Sequence, residues 1–151
     1  MNLENTTHKD IVLRLRRCGW QLLSAHSMIQ SDRECVLAAV TNYGYALRGA
    51  SDALKDDEEI VRVAVSQHGH ALRWASERLR TDEAIVETAL KLQSGALHHS
   101  PLRKNPQFLL RAITLNRCIA NEEAGFLTEA LRDNKEFMDA LELILKYDGI
   151  K

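Results

Sequence analysis

The sequence predicts an all-α fold, a superhelical α-α solenoid of short helical-hairpin repeats with a C-terminal capping helix. Three observations predict it: a pattern that recurs every 25 residues, helical spacing of the apolar residues within each unit, and a composition low in aromatic residues and proline. Of the 151 residues, 45% are hydrophobic, only 5% are aromatic and two are proline. A core made mainly of alanine and aliphatic side chains suits closely packed helices.

The repeat is clearest in two segments. The segment Asp-x-x-x-Val begins at Asp32 and recurs from Asp57 and from Asp82. A second segment, Gly-x-Ala-Leu-Arg, begins at Gly44 and recurs from Gly69, with a weaker copy 25 residues further on. We expect one domain over residues 1–151, because stacked units of this kind share a continuous core. The predicted units are residues 7–31, 32–56, 57–81, 82–104 and 105–133, followed by a capping helix over 134–147.

Each unit contains signals for the start and end of a helix. A side-chain oxygen that can cap free helical amides precedes each apolar stripe. These predicted N-caps are Thr7, Asp32, Asp57, Asp82 and Asn105. Val61, Ala64 and Val65 show the i, i+3, i+4 spacing of a buried helical face. The glycines that follow predict a left-handed C-cap at the end of each first helix. They are Gly19, Gly44 and Gly69.

The pattern weakens toward the C-terminus. Ser94 replaces the glycine, and the segment after Ser100-Pro101 is two residues short. From Arg117 to Gly125 the repeat is lost, and we expect a loop or an irregular second helix there. Asn134 is expected to cap a final helix that completes the core, with a homodimer contact as the alternative. The apolar residues of that helix are Phe137, Leu141, Leu143, Ile144 and Leu145.

The unit D-x-E-x-V-x-x-A-V-x-x-x-G-x-A-L-x-x-A-S-x-x-L, seen best at 32–54 and 57–79, resembles a tandem-repeat domain of unknown function. That family occurs in bacterial and protist proteins, including predicted secreted effectors of intracellular bacteria. The resemblance covers roughly residues 7–115. It implies a helical-repeat fold and a role in partner or host interaction, and it implies no catalytic residues.

Charge and cysteine content make some classes of function less plausible for this protein. Twenty basic and 21 acidic residues give a formal net charge of −1, whereas nucleic-acid binders usually carry a basic excess. Three cysteines without a C-x-x-C pair do not indicate a disulfide framework. The N-terminal residues lack the apolar run of a secretory signal. We therefore expect a cytoplasmic protein, or an effector exported without a cleaved signal, with no membrane segment.

Residues 25 apart should form columns on one face, so columns that are not apolar are candidate binding positions. The columns are Cys18, Tyr43, His68 and Gln93; Trp20, Tyr45 and His70; and Arg48, Arg73 and His98, with Trp74 and His99 beside them. Aromatic residues and arginine are enriched at binding hot spots. The predicted partner-binding residues are Trp20, Tyr43, Tyr45, Arg48, His68, His70, Arg73, Trp74 and His98. The competing interpretation is that the aromatic residues pack the turns and the arginines are solvated.

Metal binding and catalysis are not expected. Four histidines, His68, His70, His98 and His99, lie in adjacent units, but nothing in the sequence makes them converge. Cys35 occupies the position of Ile60 and Ile85 in later units, which predicts structural burial rather than reactivity. There is no phosphate-binding glycine loop, and we expect neither an enzyme nor a cofactor.

The sequence therefore predicts a scaffold that binds a protein partner, with bacterial effector, immunity and adaptor roles all compatible. We expect a monomer or a weak homodimer. The alternative is a helical repeat that binds nucleic acid or phosphate through its basic residues. Those residues are Arg14, Arg16, Arg17, Arg78, Arg80, Arg103 and Lys104. Arg14 falls where later units have alanine, which favours an N-terminal cap as the reason for its polarity.

Overall fold

The structure is a computed structural model that describes residues 7–116, 118–119 and 134–147. Throughout these ranges the chain is all-α, with no strand. The α-helices are α1 (His8–Arg17), α2 (Ser27–Gln30), α3 (Arg33–Asn42), α4 (Asp52–Lys55), α5 (Glu58–Gln67), α6 (Glu77–Arg80), α7 (Glu83–Leu92), α8 (Pro106–Leu115) and α9 (Lys135–Tyr147). The 3₁₀ helices are η1 (Gly19–Ser24), η2 (Gly44–Gly49), η3 (Gly69–Trp74), η4 (Ser94–His99) and η5 (Pro101–Lys104).

Each of the first four repeats has three parts, a ten-residue α-helix, a six-residue 3₁₀ helix and a single turn of helix. The second half of the unit is therefore divided, whereas the predicted helical hairpin has a single second helix. The division falls at the Ala-Ser pair, because Ala50 and Ser51 have extended backbone with ψ of 153° and 159°. The Ser51 amide donates to the carbonyl oxygen of Gln30 in the preceding repeat at 2.9 Å, and Ser76 bonds Lys55 in the same way. The Ala-Ser pair thus links neighbouring repeats.

The predicted N-caps are confirmed. The side-chain oxygens of Asp32, Asp57 and Asp82 accept hydrogen bonds from the amides three residues later at 2.8, 3.1 and 3.0 Å. Thr7 forms a reciprocal capping box with Asp10, and Asn105 precedes Pro106 at the first position of α8. Asn134 accepts from the amide of Phe137 at 3.0 Å, at the start of α9.

The predicted left-handed C-caps are wrong. No described glycine has a positive φ, and the C-cap residues of α1, α3 and α5 are the preceding residues, Cys18, Tyr43 and His68. Glycine is needed there because the next repeat comes very close. A methyl group on Gly69 would lie 2.5 Å from the carbonyl oxygen of Ala89, inside any real contact distance. Gly19 and Gly44 face the carbonyl oxygens of Ala39 and Ala64 in the same way.

The core lies between two rows of helices. Each long helix packs against the next along the chain, from α1 through α3, α5 and α7 to α8, and the 3₁₀ helices η1 to η4 form a parallel row. Alanine, valine, leucine and isoleucine supply most of the buried side chains, and Ala39, Ala64 and Ala89 are fully buried. Arg14, at the equivalent position of α1, is exposed.

The C-terminal part of the described chain departs from the 25-residue pattern. After η4 the one-turn α-helix is replaced by η5, and the hydroxyl of buried Ser100 donates to the carbonyl of Arg80 at 2.6 Å. Helix α9 packs against α8 and buries Phe137 and Leu141. The irregular segment predicted from Arg117 to Gly125 lies outside the described residues, apart from 118 and 119. Among the described residues, none belongs to a helix long and apolar enough to cross a bilayer.

Candidate partner-binding surface

The nine sequence-predicted binding residues lie on the 3₁₀ helices and on the residues that immediately precede them. Trp20, Arg48, Arg73 and His98 are exposed. Tyr43, Tyr45, His68, His70 and Trp74 are half-buried. Because η1 to η4 lie side by side, these residues form one surface, which we call the ladder surface.

Four of the rings form a contiguous cluster across the second and third repeats. Tyr43 meets Tyr45 and His68 edge-on, with ring centroids 5.6 Å apart in both pairs. The rings of Tyr45 and His68 are 4.6 Å apart, and Tyr45 meets Trp74 edge-on at 5.3 Å. Edge-to-face pairs of this kind stabilise by about 0.5–1.5 kcal/mol beyond the burial of their area. The rings therefore hold one another in place, and all four residues are half-buried.

Some ring contacts run diagonally, because they join residues of neighbouring repeats that do not belong to the same predicted column. Tyr45 packs on Trp74, which is 29 residues later, and His70 packs on His99 with the same separation at 5.5 Å. A ring at the second position of one 3₁₀ helix thus meets the last residue of the next 3₁₀ helix. The sequence columns did not predict this contact, because equal spacing identifies equivalent positions and not neighbours.

Trp20 is the exception to this diagonal pairing. It stands at the same position of η1 as Tyr45 and His70 in η2 and η3, but the residue that should meet its ring is Gly49. Gly49 has no side chain, and a methyl group added there would lie 3.0 Å from the carbonyl oxygen of Leu22. Trp20 is consequently 56% exposed.

Leu23 extends the exposed apolar area beside Trp20 and was missed by the sequence analysis. Side chains three residues apart eclipse on a 3₁₀ helix, so Leu23 and Trp20 lie on the same side of η1. Leu23 is 40% exposed, a high value for a leucine that follows the buried Leu22. It begins the column that continues with Arg48, Arg73 and His98. The 25-residue spacing places Leu23 in this column, but leucine is not one of the aromatic and basic types by which candidate positions were chosen.

The ladder surface is anchored by amide side chains from the following repeats. The Asn42 side-chain oxygen accepts from the backbone amide of Gly19 at 2.9 Å. Gln93 accepts from the amide of His70 at 2.9 Å. Both bonds join the start of a 3₁₀ helix to the end of the next long helix, so the surface is held by adjacent repeats rather than by single loops.

Positive charge accumulates where the ladder surface meets the fourth repeat. A shallow depression there is lined by Arg80, His98, His99, Ser100, Pro101, Arg103 and Lys104. Burial lowers the pKa of His99, and the neighbouring positive charges of His70 and Arg73 lower it further. The buried Nε of Arg80 has no hydrogen-bond partner among the described residues. This basic depression is a second candidate site, distinct in character from the aromatic cluster.

The histidines considered at the sequence level do not assemble into one group. His68 packs between Tyr43 and Tyr45, whereas His70 packs on His99. The predicted burial of Cys35 is confirmed, with 1% of the residue exposed. Cys18 is half-buried and Cys118 is exposed.

Comparison with known proteins identifies the repeat. The family model described as a domain of unknown function, DUF4116, matches the chain three times, over residues 8–55, 32–80 and 57–101. Each match spans two consecutive repeats, and together they cover more than half of the chain, so the chain belongs to this family. The resemblance predicted from the repeated unit is confirmed. Searches of curated proteins and of solved structures found no match.

Proposed function

We propose that this member of the DUF4116 family is a superhelical solenoid that binds a partner protein through the ladder surface. The observation that carries the proposal is Trp20. The structure pairs the equivalent rings of the next two repeats, and it leaves this one exposed beside Leu23. Large exposed aromatic side chains on a rigid frame are typical anchors at protein interfaces, because they bury much area at little entropic cost.

The charge pattern indicates the chemistry of the partner. Beyond Leu23 the same column carries Arg48 and Arg73, both exposed, and then His98. We propose a partner segment that places an apolar side chain against Trp20 and Leu23 and carboxylates along the two arginines. Complementary charge would govern the association rate and the register, while the burial of Trp20 would supply most of the affinity.

The experiment is an affinity capture from lysate of the native source or its host, with four variant baits. Trp20→Ala removes the anchor, and Arg48→Glu/Arg73→Glu reverses the charged column. Leu143→Ala is the matched control for the first, since Leu143 is 57% exposed on α9, the helix that packs against α8. Lys9→Glu/Lys91→Glu is the matched control for the second, since it makes the same charge change at exposed positions.

We expect one protein to be captured by the wild type and by both controls, and to be lost with both ladder variants. Equal capture by all five baits would refute the ladder surface as the binding site. All substituted residues are exposed, so the melting temperatures of the five proteins should agree. A bait that melts much lower would be replaced by Trp20→Leu or Arg48→Gln/Arg73→Gln.

The basic depression supports a second candidate, the binding of nucleic acid or another phosphate polymer. Arg80, Arg103 and Lys104 line this depression together. Under this alternative, single-stranded RNA would bind with an affinity that falls steeply as salt increases. Arg103→Glu/Lys104→Glu would then abolish binding, whereas Trp20→Ala would not. Nuclease-sensitive material in the capture experiment would favour this candidate over the protein partner.

A further inference from the structure

Three metal-ligating side chains meet where the first repeat packs on the second. His8 is the first residue of α1, Asp32 caps α3, and Cys35 lies in the first turn of α3. The His8 Nε2 atom is 3.2 Å from Asp32 Oδ2 and 3.8 Å from Cys35 Sγ. One ligand atom from each residue lies within 4.8 Å of the others, and no second such group of three occurs among the described residues.

These separations suit the ligand shell of a tetrahedral Zn²⁺ ion. With Zn–N and Zn–O of about 2.0–2.1 Å and Zn–S of about 2.3 Å, tetrahedral angles put a nitrogen and an oxygen about 3.3 Å apart. The same angles put a nitrogen and a sulfur about 3.6 Å apart. The observed 3.2 and 3.8 Å therefore need only small side-chain adjustments. A thiolate and a carboxylate would also balance the two positive charges of the ion.

Neighbouring groups act on two of the three ligands. The backbone amide of Cys35 donates to Asp32 Oδ1 at 2.8 Å, which leaves Oδ2 facing His8. The carboxylate of Glu34 lies 3.8 Å from His8 Nδ1, on the far side of the ring. A carboxylate beside one ring nitrogen favours the proton there and leaves the other nitrogen available for a metal. Asp32 is thus held by a backbone hydrogen bond, and Glu34 lies near His8 Nδ1 at more than hydrogen-bond distance.

The junction between the second and third repeats lacks this set of three metal-ligating residues. The equivalent positions there hold Arg33, Asp57 and Ile60. The Arg33 Nε donates to Asp57 Oδ2 at 2.9 Å above the buried Ile60, which is an ordinary ion pair over an apolar residue. The first junction keeps the aspartate and replaces the arginine with histidine and the isoleucine with cysteine. Both replacements convert a residue that cannot hold a metal into one that can.

We propose that His8, Asp32 and Cys35 form a Zn²⁺-binding site that joins the first repeat to the second, with water as the fourth ligand. Burial raises the pKa of the Cys35 thiol to about 12, so the metal-free thiol is protonated at neutral pH. Binding therefore releases this proton to solvent as the Zn–S bond forms. No change of oxidation state is involved.

The test is a titration of the full chain with Co²⁺ and with Zn²⁺, because Co²⁺ bound to thiolate absorbs strongly in the near ultraviolet. We expect one ion per chain, a thiolate-to-cobalt band that Zn²⁺ abolishes, and a higher melting temperature with Zn²⁺. Cys35→Ile and His8→Arg each restore the residue found at the next junction. The first should eliminate the band, and the second should weaken binding at least tenfold.

The other two thiols provide the matched controls. Cys18→Ser and Cys118→Ser should keep the band and the Zn²⁺-dependent rise in melting temperature. Absence of a band in the wild type, or a band that survives in Cys35→Ile, would overturn the proposal. His8 is about half exposed, so His8→Arg should fold even if Cys35→Ile does not. Unchanged Zn²⁺ affinity in His8→Arg would then overturn the proposal independently.

Discussion

Replacing Gly69 with alanine should force two repeats apart. A methyl group there would lie 2.5 Å from the carbonyl oxygen of Ala89, and 3.2 Å from Cβ of Gln93. Ordinary contact begins at 3.4 Å, so α7 must move away from η3 by most of an ångström. The obstacle is backbone within a helix and cannot rotate away. The same movement stretches the hydrogen bond from the His70 amide to Gln93.

The expected cost follows from these contacts. Overpacking a tight interface destabilises by about 1–3 kcal/mol. Replacing glycine with alanine also restricts the unfolded chain, which stabilises the folded state by about 0.4–1 kcal/mol. A net loss of roughly 1–2 kcal/mol should lower the melting temperature by about 2–8 °C in a chain of this length. Thermal and urea unfolding followed by far-ultraviolet circular dichroism would measure it.

Gly95→Ala is the matched control, because this glycine also lies in a 3₁₀ helix. A methyl group at Gly95 would meet only the ring of His70, at 3.0 Å from Cε1, and that ring can turn. The stability should change by about 0.5 kcal/mol or less. If Gly69→Ala were as stable as the wild type or as Gly95→Ala, close approach would not be the reason for glycine at this position.

Two further substitutions test the caps and the terminal helix. Burial raises the pKa of Asp57, but hydrogen bonds from Arg33 and from the Ile60 amide lower it by more, so the folded-state pKa lies below the ordinary value. Its stabilising effect is complete above the unfolded-state pKa of about 3.9 and is lost as the pH falls through the lower folded-state pKa. Asp57→Asn should keep the cap and reduce the acid dependence of the urea midpoint, whereas Asp52→Asn, at a fully exposed position, should not. Phe137→Ala should cost about 3–5 kcal/mol in urea unfolding, because Phe137 is 1% exposed on α9 against α8. Leu143→Ala on the exposed face of α9 should change stability by only about 0.5 kcal/mol.

The helix starts could be predicted because their cause is local. An aspartate that caps a helix needs only the amide three residues later, and the sequence contains both partners. The buried faces of the long helices followed from apolar spacing for the same reason. The burial of Cys35 followed from comparison with Ile60 and Ile85, which occupy the same position in later repeats.

The glycines show where this local reasoning fails. A glycine after a helix indicates a left-handed cap when only the chain direction is considered. At Gly69 the backbone is ordinary, and the requirement comes from Ala89, twenty residues away. A left-handed helix cap and a close approach between repeats both favour glycine, and the sequence alone does not distinguish the two.

The candidate sites depend on tertiary structure to a greater extent. The sequence identified Trp20, Tyr45 and His70 as one column, but exposure of Trp20 follows from Gly49, which belongs to the next repeat. The contact between His8 and Cys35 joins residues 27 apart, at positions that are not equivalent in the repeat. The period of 25 could not predict either relation.

The sequence by itself determined the helical class, the helix starts and the apolar faces, because each depends on residues within one repeat, and it determined the period, which is a repetition along the chain. Tertiary structure decided which side chains from different repeats meet, and therefore where glycine is required and which ring is exposed. It also placed His8 beside Asp32 and Cys35. The physical reason is that the offset between packed repeats, set by close contact of their backbones, is not written in the spacing of residues along the chain.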